Sequence, residues 1–268
     1  MEVYAAQIDR MDQNIGKILE ALDASKQLEN TLVLFLQDNG GCAEKMGRQE
    51  HKDRTTAPAS QPMKPDQIQQ VVFPRYTRDG RPIKDGLAVM PGGDDSYIAY
   101  GRAWANVSNT PFREYKHWVH EGGISTPLIA KWPAGIKRHG DIDRTPGHLI
   151  DIMATCIELA GATYSSSIPL QGVSLTPAFD GKSIERKQPI FFEHEGNRAV
   201  RDGKWKLVAK GAAGAWELYD MDADRSEMHD LASQEPDRVK AMSQKWQTWA
   251  EATQVLPLNP IKAMQAEN

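Results

Sequence analysis

A carboxylate and an amide oxygen stand side by side at Asp38-Asn39-Gly40, where an apolar run over residues 31–37 stops abruptly. Both are hard oxygen donors, suited to calcium or magnesium rather than zinc. The same triplet is good turn chemistry, because both side chains bond to nearby backbone, so taken alone it leaves ligation and turn formation open. Its position favours chemistry, since ligands of open α/β sheets gather just outside the carboxyl ends of the strands. A second group is Lys116-His117-Trp118-Val119-His120-Glu121-Gly122-Gly123, immediately before another strand-like run. Lys116 could neutralise an anionic substrate oxygen, against the plainer reading of a solvated surface lysine. His117 and His120 could share one side of a helical turn and bind a metal, but the order is not H-E-x-x-H and no third ligand is indicated.

Other patterns carry less. Asp220-x-Asp222-x-Asp224 opens like an EF-hand loop, yet Arg225 stands where Gly is needed and Leu231 where the bidentate Glu is needed, so a solvated acidic loop is expected. Gly172-Val-Ser174-Leu-Thr176 lacks the closing Gly of a nucleophile elbow, and neither a phosphate-binding P-loop nor a G-x-G-x-x-G occurs. His194, in Phe192-Glu-His-Glu-Gly196, precedes a turn and reads first as a packing or subdomain-contact residue.

The elements that must position these groups follow from periodicity. Tyr4, Ile8, Met11, Ile15, Ile18 and Leu22 recur at helical spacing from the very start of the chain. No residue is left over to cap that helix, so the chain is expected to begin within a domain. Residues 31–37, apolar without alternation, predict a strand buried on both faces of a parallel sheet. Residues 42–101 are rich in Pro, Gly, Gln and charge and are too long for an ordinary connection, which marks an insertion of the kind that carries function. A strand is expected over 124–132, then a helix carrying Leu149, Ile152, Cys156 and Leu159 and closed by Gly161. From about residue 185 the pattern changes to antiparallel strands, with a turn at Asp202-Gly203 and a further strand at 216–219. Val239, Met242, Trp246 and Trp249 predict a helix packed on that sheet.

Bulk properties narrow the class. The 268 residues are 40% hydrophobic and 25% charged, an ordinary globular composition of one or two domains. With 32 basic and 36 acidic residues the net charge is −4, so no general basic field exists to hold nucleic acid. No apolar run approaches the about 20 residues of a membrane span, and the first residues lack the basic start and apolar stretch of a signal peptide. Cys42 and Cys156 are too few for a disulfide framework, although one bridge is conceivable.

Taken together, these segments resemble the C-terminal half of a type I, formylglycine-dependent sulfatase, of the bacterial arylsulfatase branch of the alkaline phosphatase superfamily. The resemblance runs nearly end to end: VYAAQIDRMDQNIGKILEAL with NTLVLFLQDNG, then SYIAYGRAWANVSNTPFREYKHWVHEGGISTPLIAKWP, then GHLIDIMATCIELAG, NRAVRDGKWKLV and WELYDMDADRSEMHDLA. It implies a partial α/β sandwich over 1–184, with a mostly parallel central sheet flanked by helices and the insertion at 42–101. A small antiparallel sheet with a helix would follow over 185–268. It implies Asp38 and Asn39 as ligands of a divalent cation, usually calcium, Lys116 as the catalytic cation gripping a sulfate oxygen, and His194 and Arg198 as contacts to the rest of the substrate. The substrate would be a small-molecule or polysaccharide sulfate ester, and the protein periplasmic or secreted.

Departures from the family pattern are equally specific. The formylglycine precursor lies in a C/S-x-P-x-R motif, which neither Cys42 nor Cys156 matches; Ser60-Gln-Pro62-Met-Lys64 comes nearest, with Lys for Arg and on the wrong side of the metal turn. Nucleophile and remaining metal ligands are therefore expected upstream, in a missing N-terminal half of the same protein. A phosphonate or phosphate ester hydrolase of the same superfamily, and a noncatalytic fragment or binding module, are the alternative readings.

Overall fold

The computed structural model describes residues 1–48 and 58–256, in two compact units: Met1–Lys17 with Gly41–Ser108, and Ile18–Gly40 with Asn109 onward. The expected helix is present as α1 (Glu2–Ala24), and none of its residues is buried. Of its apolar stripe Tyr4, Ile8, Met11 and Ile18 are exposed, and Ile15 and Leu22 are half-buried.

In the first unit, the described part of the long insertion (residues 42–48 and 58–101) forms no helix or strand, only isolated bridges such as Tyr76 with Pro82. Side chains order it instead. Arg81 forks onto both carboxylate oxygens of Asp94 at 3.1 and 2.8 Å, the geometry a planar guanidinium suits best. Ser60 N–H donates to the Gly80 carbonyl at 2.9 Å, which ties the Ser60–Lys64 stretch to the turn at Thr77–Arg81. The helix α2 (Arg102–Asn109) follows, burying Ala105.

The second unit holds both sheets. β1 (Val33–Leu36) pairs with β2 (Leu128–Lys131), with Val33 opposite Lys131 and Leu36 opposite Leu128. The pairing is antiparallel, where the apolar run predicted a parallel neighbour. An unalternating run signals that both strand faces can be covered; it does not encode the direction of the partner. β1 is only half-buried and β2 is exposed along its length. Of the strand expected over 124–132 only Leu128–Lys131 is extended in a sheet, and Ile124 instead ends a single turn, α3 (Glu121–Ile124).

The helix α4 (Ile150–Leu159) lies where expected but inverted: Asp151, Ala154 and Thr155 are its buried residues, while Leu149, Met153 and Leu159 are exposed. The fully buried Asp151 carboxylate explains the orientation. It meets Arg186 at 2.5 Å and accepts hydrogen bonds from the backbone N–H groups of His148 and Val173 at 2.8 and 2.9 Å, as a buried charge requires. After the short α5 (Thr176–Phe179) come β3 (Ile190–His194), β4 (Asn197–Asp202), β5 (Trp205–Ala209) and β6 (Glu217–Asp220), an antiparallel sheet in simple sequential order.

Alternation divides that sheet's two faces. One face carries Val200, Leu207 and Leu218 against Met242, Trp246 and Ala250 of α6 (Pro236–Ala252). There Trp246 Nε1–H donates to the Phe192 carbonyl at 3.0 Å, and Phe191 stacks on Trp249 at 5.2 Å. The other face packs Ala199, Val208 and Tyr219 against Val119. The acidic loop after β6 is not an EF-hand: Asp220 pairs with Lys204 at 2.6 Å, and Asp224 accepts the Met228 and His229 N–H groups at 2.7 and 2.8 Å. Neither Cys42 nor Cys156 is in a disulfide. Among the described residues no helix is long and apolar enough to cross a membrane.

Candidate functional site

β1 ends at Leu36, and the chain turns through Asp38, Asn39 and Gly40 directly against the segment that carries Lys116. Gly40 N–H donates to the Gly123 carbonyl at 2.9 Å, and Thr126 Oγ1–H donates to the Gln37 carbonyl at 2.8 Å. A Cβ on Gly40 would lie 1.7 Å from the Gly122 carbonyl oxygen, and one on Gly122 would lie 2.2 Å from the Glu114 carbonyl oxygen. Backbone therefore packs on backbone at both positions, which only glycine permits. Asn109 Nδ2–H completes the contact with a 3.0 Å bond to the Glu114 carbonyl.

The donor chemistry of this turn fits a hard cation. Asp38 is exposed, with no ion pair or side-chain hydrogen bond among the described residues, and Asn39 is half-buried. Asn39 Nδ2–H donates to the Gly40 carbonyl at 3.0 Å, which leaves Oδ1 as the side chain's acceptor. Two oxygens are part of the six to eight that calcium takes. Lys116 lies half-buried in a turn on the adjoining segment.

A buried charge cluster fixes that segment on the C-terminal sheet. Lys206, on β5, is 1% exposed; its Nζ lies 2.9 Å from Glu121 Oε1 and 2.8 Å from Glu227 Oε1. Glu227 Oε2 in turn accepts the Glu121 N–H at 2.8 Å. Burial pushes the Glu121 carboxyl up, but Lys206 outweighs it and the group stays below the usual carboxylate range. Beside it, His120 is fully buried, with Nε2 3.4 Å from Glu217 Oε2. The same Glu217 oxygen accepts the Tyr219 hydroxyl at 2.5 Å and lies 3.4 Å from Arg113. Glu217 is held down at about 2, first by its hydrogen bond with His120 and then, against burial, by Tyr219 and Arg113. Burial and the Glu217 carboxylate push the Tyr219 hydroxyl up.

The two histidines that spacing allowed to act together are separated. Positive φ at His117 (93°) breaks the helical turn they would have shared. His120 turns inward to Glu217, while His117 Nδ1 meets Glu195 Oε2 at 2.8 Å and its ring meets His194 edge to face at 5.5 Å. His194 is exposed at the end of β3. Arg198 faces the other way. Its guanidinium lies 4.4 Å over Trp216 and 5.6 Å from the Trp246 ring and donates to the Gly214 carbonyl at 2.9 Å. The structure thus brings the Asp38–Asn39 turn to the Lys116 segment and His194 to His117, and puts Arg198 on the helix-covered face. Sequence reasoning missed Lys206, Glu217, Glu227 and Asn109. The available signal was Lys206 itself, a lysine flanked by Trp205, Leu207 and Val208 in a strand.

The family model described as "Sulfatase" matches residues 1–162. The chain belongs to the sulfatase family. A second model, "N-sulphoglucosamine sulphohydrolase, C-terminal", matches residues 113–252, a stretch that includes Glu121, Lys206 and Glu227 of the buried cluster. An uncharacterized sulfatase of Schizosaccharomyces pombe is 29% identical over 270 residues, covering 96% of this chain and 44% of the relative. An arylsulfatase of Klebsiella aerogenes is 32% identical over 197 residues, 71% of this chain and 37% of the relative. The chain therefore spans less than half the length of either sulfatase. Among solved structures, Ps i-CgsB in complex with k-i-k-neocarrahexaose superposes with a TM-score of 0.63 at 22% identity, covering 92% of this chain and 42% of that one. That likeness shows the fold: the α/β architecture of the sulfatases.

Proposed function

We infer that this chain is the C-terminal part of a sulfuric ester hydrolase, and that the Asp38–Asn39 turn and Lys116 are its share of the active site. The observation that carries the reading is the glycine-only contact of the Asp38–Gly40 turn with the Lys116 segment. It supports the reading because the turn that carries the oxygen donors and the segment that carries the cation meet backbone to backbone, inside a sulfatase-family chain.

Asp38 and Asn39 would hold part of the coordination sphere of a divalent cation, calcium by resemblance to the family, which would supply Lewis-acid charge at a bound sulfate. Lys116 binds a sulfate oxygen and offsets the charge that builds up there as the S–O bond breaks. Gly40, Gly122 and Asn109 hold the two groups in register, and the Lys206 cluster anchors the Lys116 segment to the sheet behind it. His194, exposed on the hairpin beside His117, is the better placed of the two substrate-contact candidates; Arg198 is engaged with Trp216. The substrate is a small-molecule or polysaccharide sulfate ester.

Residues 1–184 belong, in this reading, to an α/β core whose mostly parallel sheet and formylglycine come from the rest of the protein, in an exported enzyme, with residues 185–268 as a subdomain. The exposed residues of the α1 apolar stripe, the exposed strand β2 and the outward Leu149, Met153 and Leu159 of α4 support it, because such surface is ordinarily covered. The test is hydrolysis of 4-nitrophenyl sulfate by the complete protein, with 4-nitrophenyl phosphate and a phosphonate monoester beside it. Lys116→Ala should lower kcat/KM for the sulfate ester by about 10²–10³-fold, the scale of losing one charge-stabilising donor. A preference for the phosphonate, or a Lys116→Ala enzyme as active as the parent, contradicts the assignment.

A further inference from the structure

We propose that His117, His194 and Glu195 form a second metal site, for a zinc-like divalent transition ion, separate from the Asp38–Asn39 pair. The site does not depend on sulfate ester chemistry. One ligand atom from each residue lies within 4.8 Å of those of the other two. Two imidazoles and one carboxylate are the ligand set of three-residue zinc sites that keep a coordination position open. Calcium, which takes six to eight oxygens, finds one carboxylate here and two nitrogens it does not favour.

The backbone fixes these ligands in advance. β3 and β4 are joined by Glu195 and Gly196, both with positive φ (51° and 87°), the tight hairpin geometry that matches strand twist. Gly196 N–H donates to Glu193 Oε1 at 2.7 Å. His194 and Glu195 are thus held relative to one another by the turn. His117 arrives from the facing segment in a conformation that residues with side chains rarely adopt. Its carbonyl accepts a 3.1 Å hydrogen bond from Asn197 Nδ2. Asn197 is itself buried and accepts the Gly211 N–H at 2.9 Å. The Trp118 ring packs on the imidazole in a T-shaped contact, with centroids 4.9 Å apart.

The ion takes the place of the proton between His117 Nδ1 and Glu195 Oε2. Zinc bonds of about 2.0 Å in a tetrahedron set ligand atoms about 3.3 Å apart. The observed 2.8 Å pair then opens by roughly half an ångström, and His194 closes by ring rotation. His194 and Glu195 are exposed, so the open position faces solvent and admits water or a ligand oxygen.

The experiment is a Zn²⁺ titration of the full chain against a chromophoric chelator in excess Ca²⁺, repeated on His117→Ala, His194→Ala and Glu195→Gln. Glu195→Gln keeps the turn and the side-chain shape, so its effect is not that of misfolding. One Zn²⁺ per chain is expected, with affinity lowered at least about tenfold in each variant, a scale that even supporting residues of metal sites reach. Co²⁺ should give visible absorption bands that vanish in the same variants, and Asp38→Ala should leave both readings unchanged. Stoichiometric Zn²⁺ uptake that survives any two of the three substitutions, loss only in Asp38→Ala, or no uptake by the folded parent chain overturns the proposal.

Discussion

Replacing Lys206 with methionine keeps the length and volume of the side chain and removes its charge. In the native packing Nζ sits 2.9 Å from one carboxylate and 2.8 Å from another, with side-chain exposures of 1% for Lys206, 9% for Glu121 and 0% for Glu227. Water therefore cannot replace the lost cation. Arg225, 3.4 Å from Glu121 and half-exposed, offsets part of the residual charge. Removing one partner of a buried pair costs about 3–5 kcal/mol, and here two carboxylates lose the same counter-ion, which puts Lys206→Met at the upper end. That is a large share of the roughly 5–15 kcal/mol that stabilises a domain. Urea unfolding followed by tryptophan emission reports it, because Trp205, Trp216, Trp246 and Trp249 surround the sheet and α6. A Lys206→Met, Glu121→Gln, Glu227→Gln triple variant should recover most of the loss, since glutamine at 227 still accepts the Glu121 N–H. Lys206→Met within about 1 kcal/mol of the parent, the span of an exposed ion pair, would refute the account of a buried, interdependent cluster. So would a triple variant no better than the single one.

Acid should act on the same interface. The Glu217 carboxyl falls from 4.5 to about 2 on folding, so its contribution is complete above about pH 4.5 and is lost as pH falls towards 2; Glu217→Gln should flatten that limb of a pH–stability curve measured by thermal unfolding. Gly40→Ala places a methyl group 1.7 Å from a backbone oxygen that has no freedom to move. It should cost at least about 2 kcal/mol in thermal unfolding, as overpacking against rigid backbone does, and abolish retention of calcium by the complete protein.

Elements governed by local periodicity were legible in the sequence. The stripe from Tyr4 to Leu22 gives α1, the Asp202-Gly203 signal gives the β4–β5 hairpin, and Val239 to Trp249 gives α6. Pairing direction was not legible, because the 31–37 run is apolar whichever way its neighbour lies. The face presented by α4 was hidden too: a buried carboxylate with a distant partner, Asp151 with Arg186, overrides the apolar stripe. At the site, the Asp38–Asn39 turn and Lys116 stand out by residue type and resemblance. Nothing local announces that Gly40 and Gly122 press together. Alternation alone could have separated Asn197 from Arg198 across the sheet, but not told which face meets the site. Lysine in a strand reads as solvent-facing, so the burial of Lys206 depends on Glu121, 85 positions away.

The C-terminal sheet also sets an order of assembly. Its four strands follow one another in space as in sequence, and the β3–β4 and β4–β5 turns are each two residues long. Sheets built from such short-range hairpins form sooner than those that must first close long loops. The segment bearing Lys116, translated well before this sheet, has its buried partners on it: Glu217 for His120 and Lys206 for Glu121. It can reach its final conformation only after the later-made strands exist. The ribosome thus delivers the Lys116 segment before its platform, and that segment must wait on sequence downstream of it to settle.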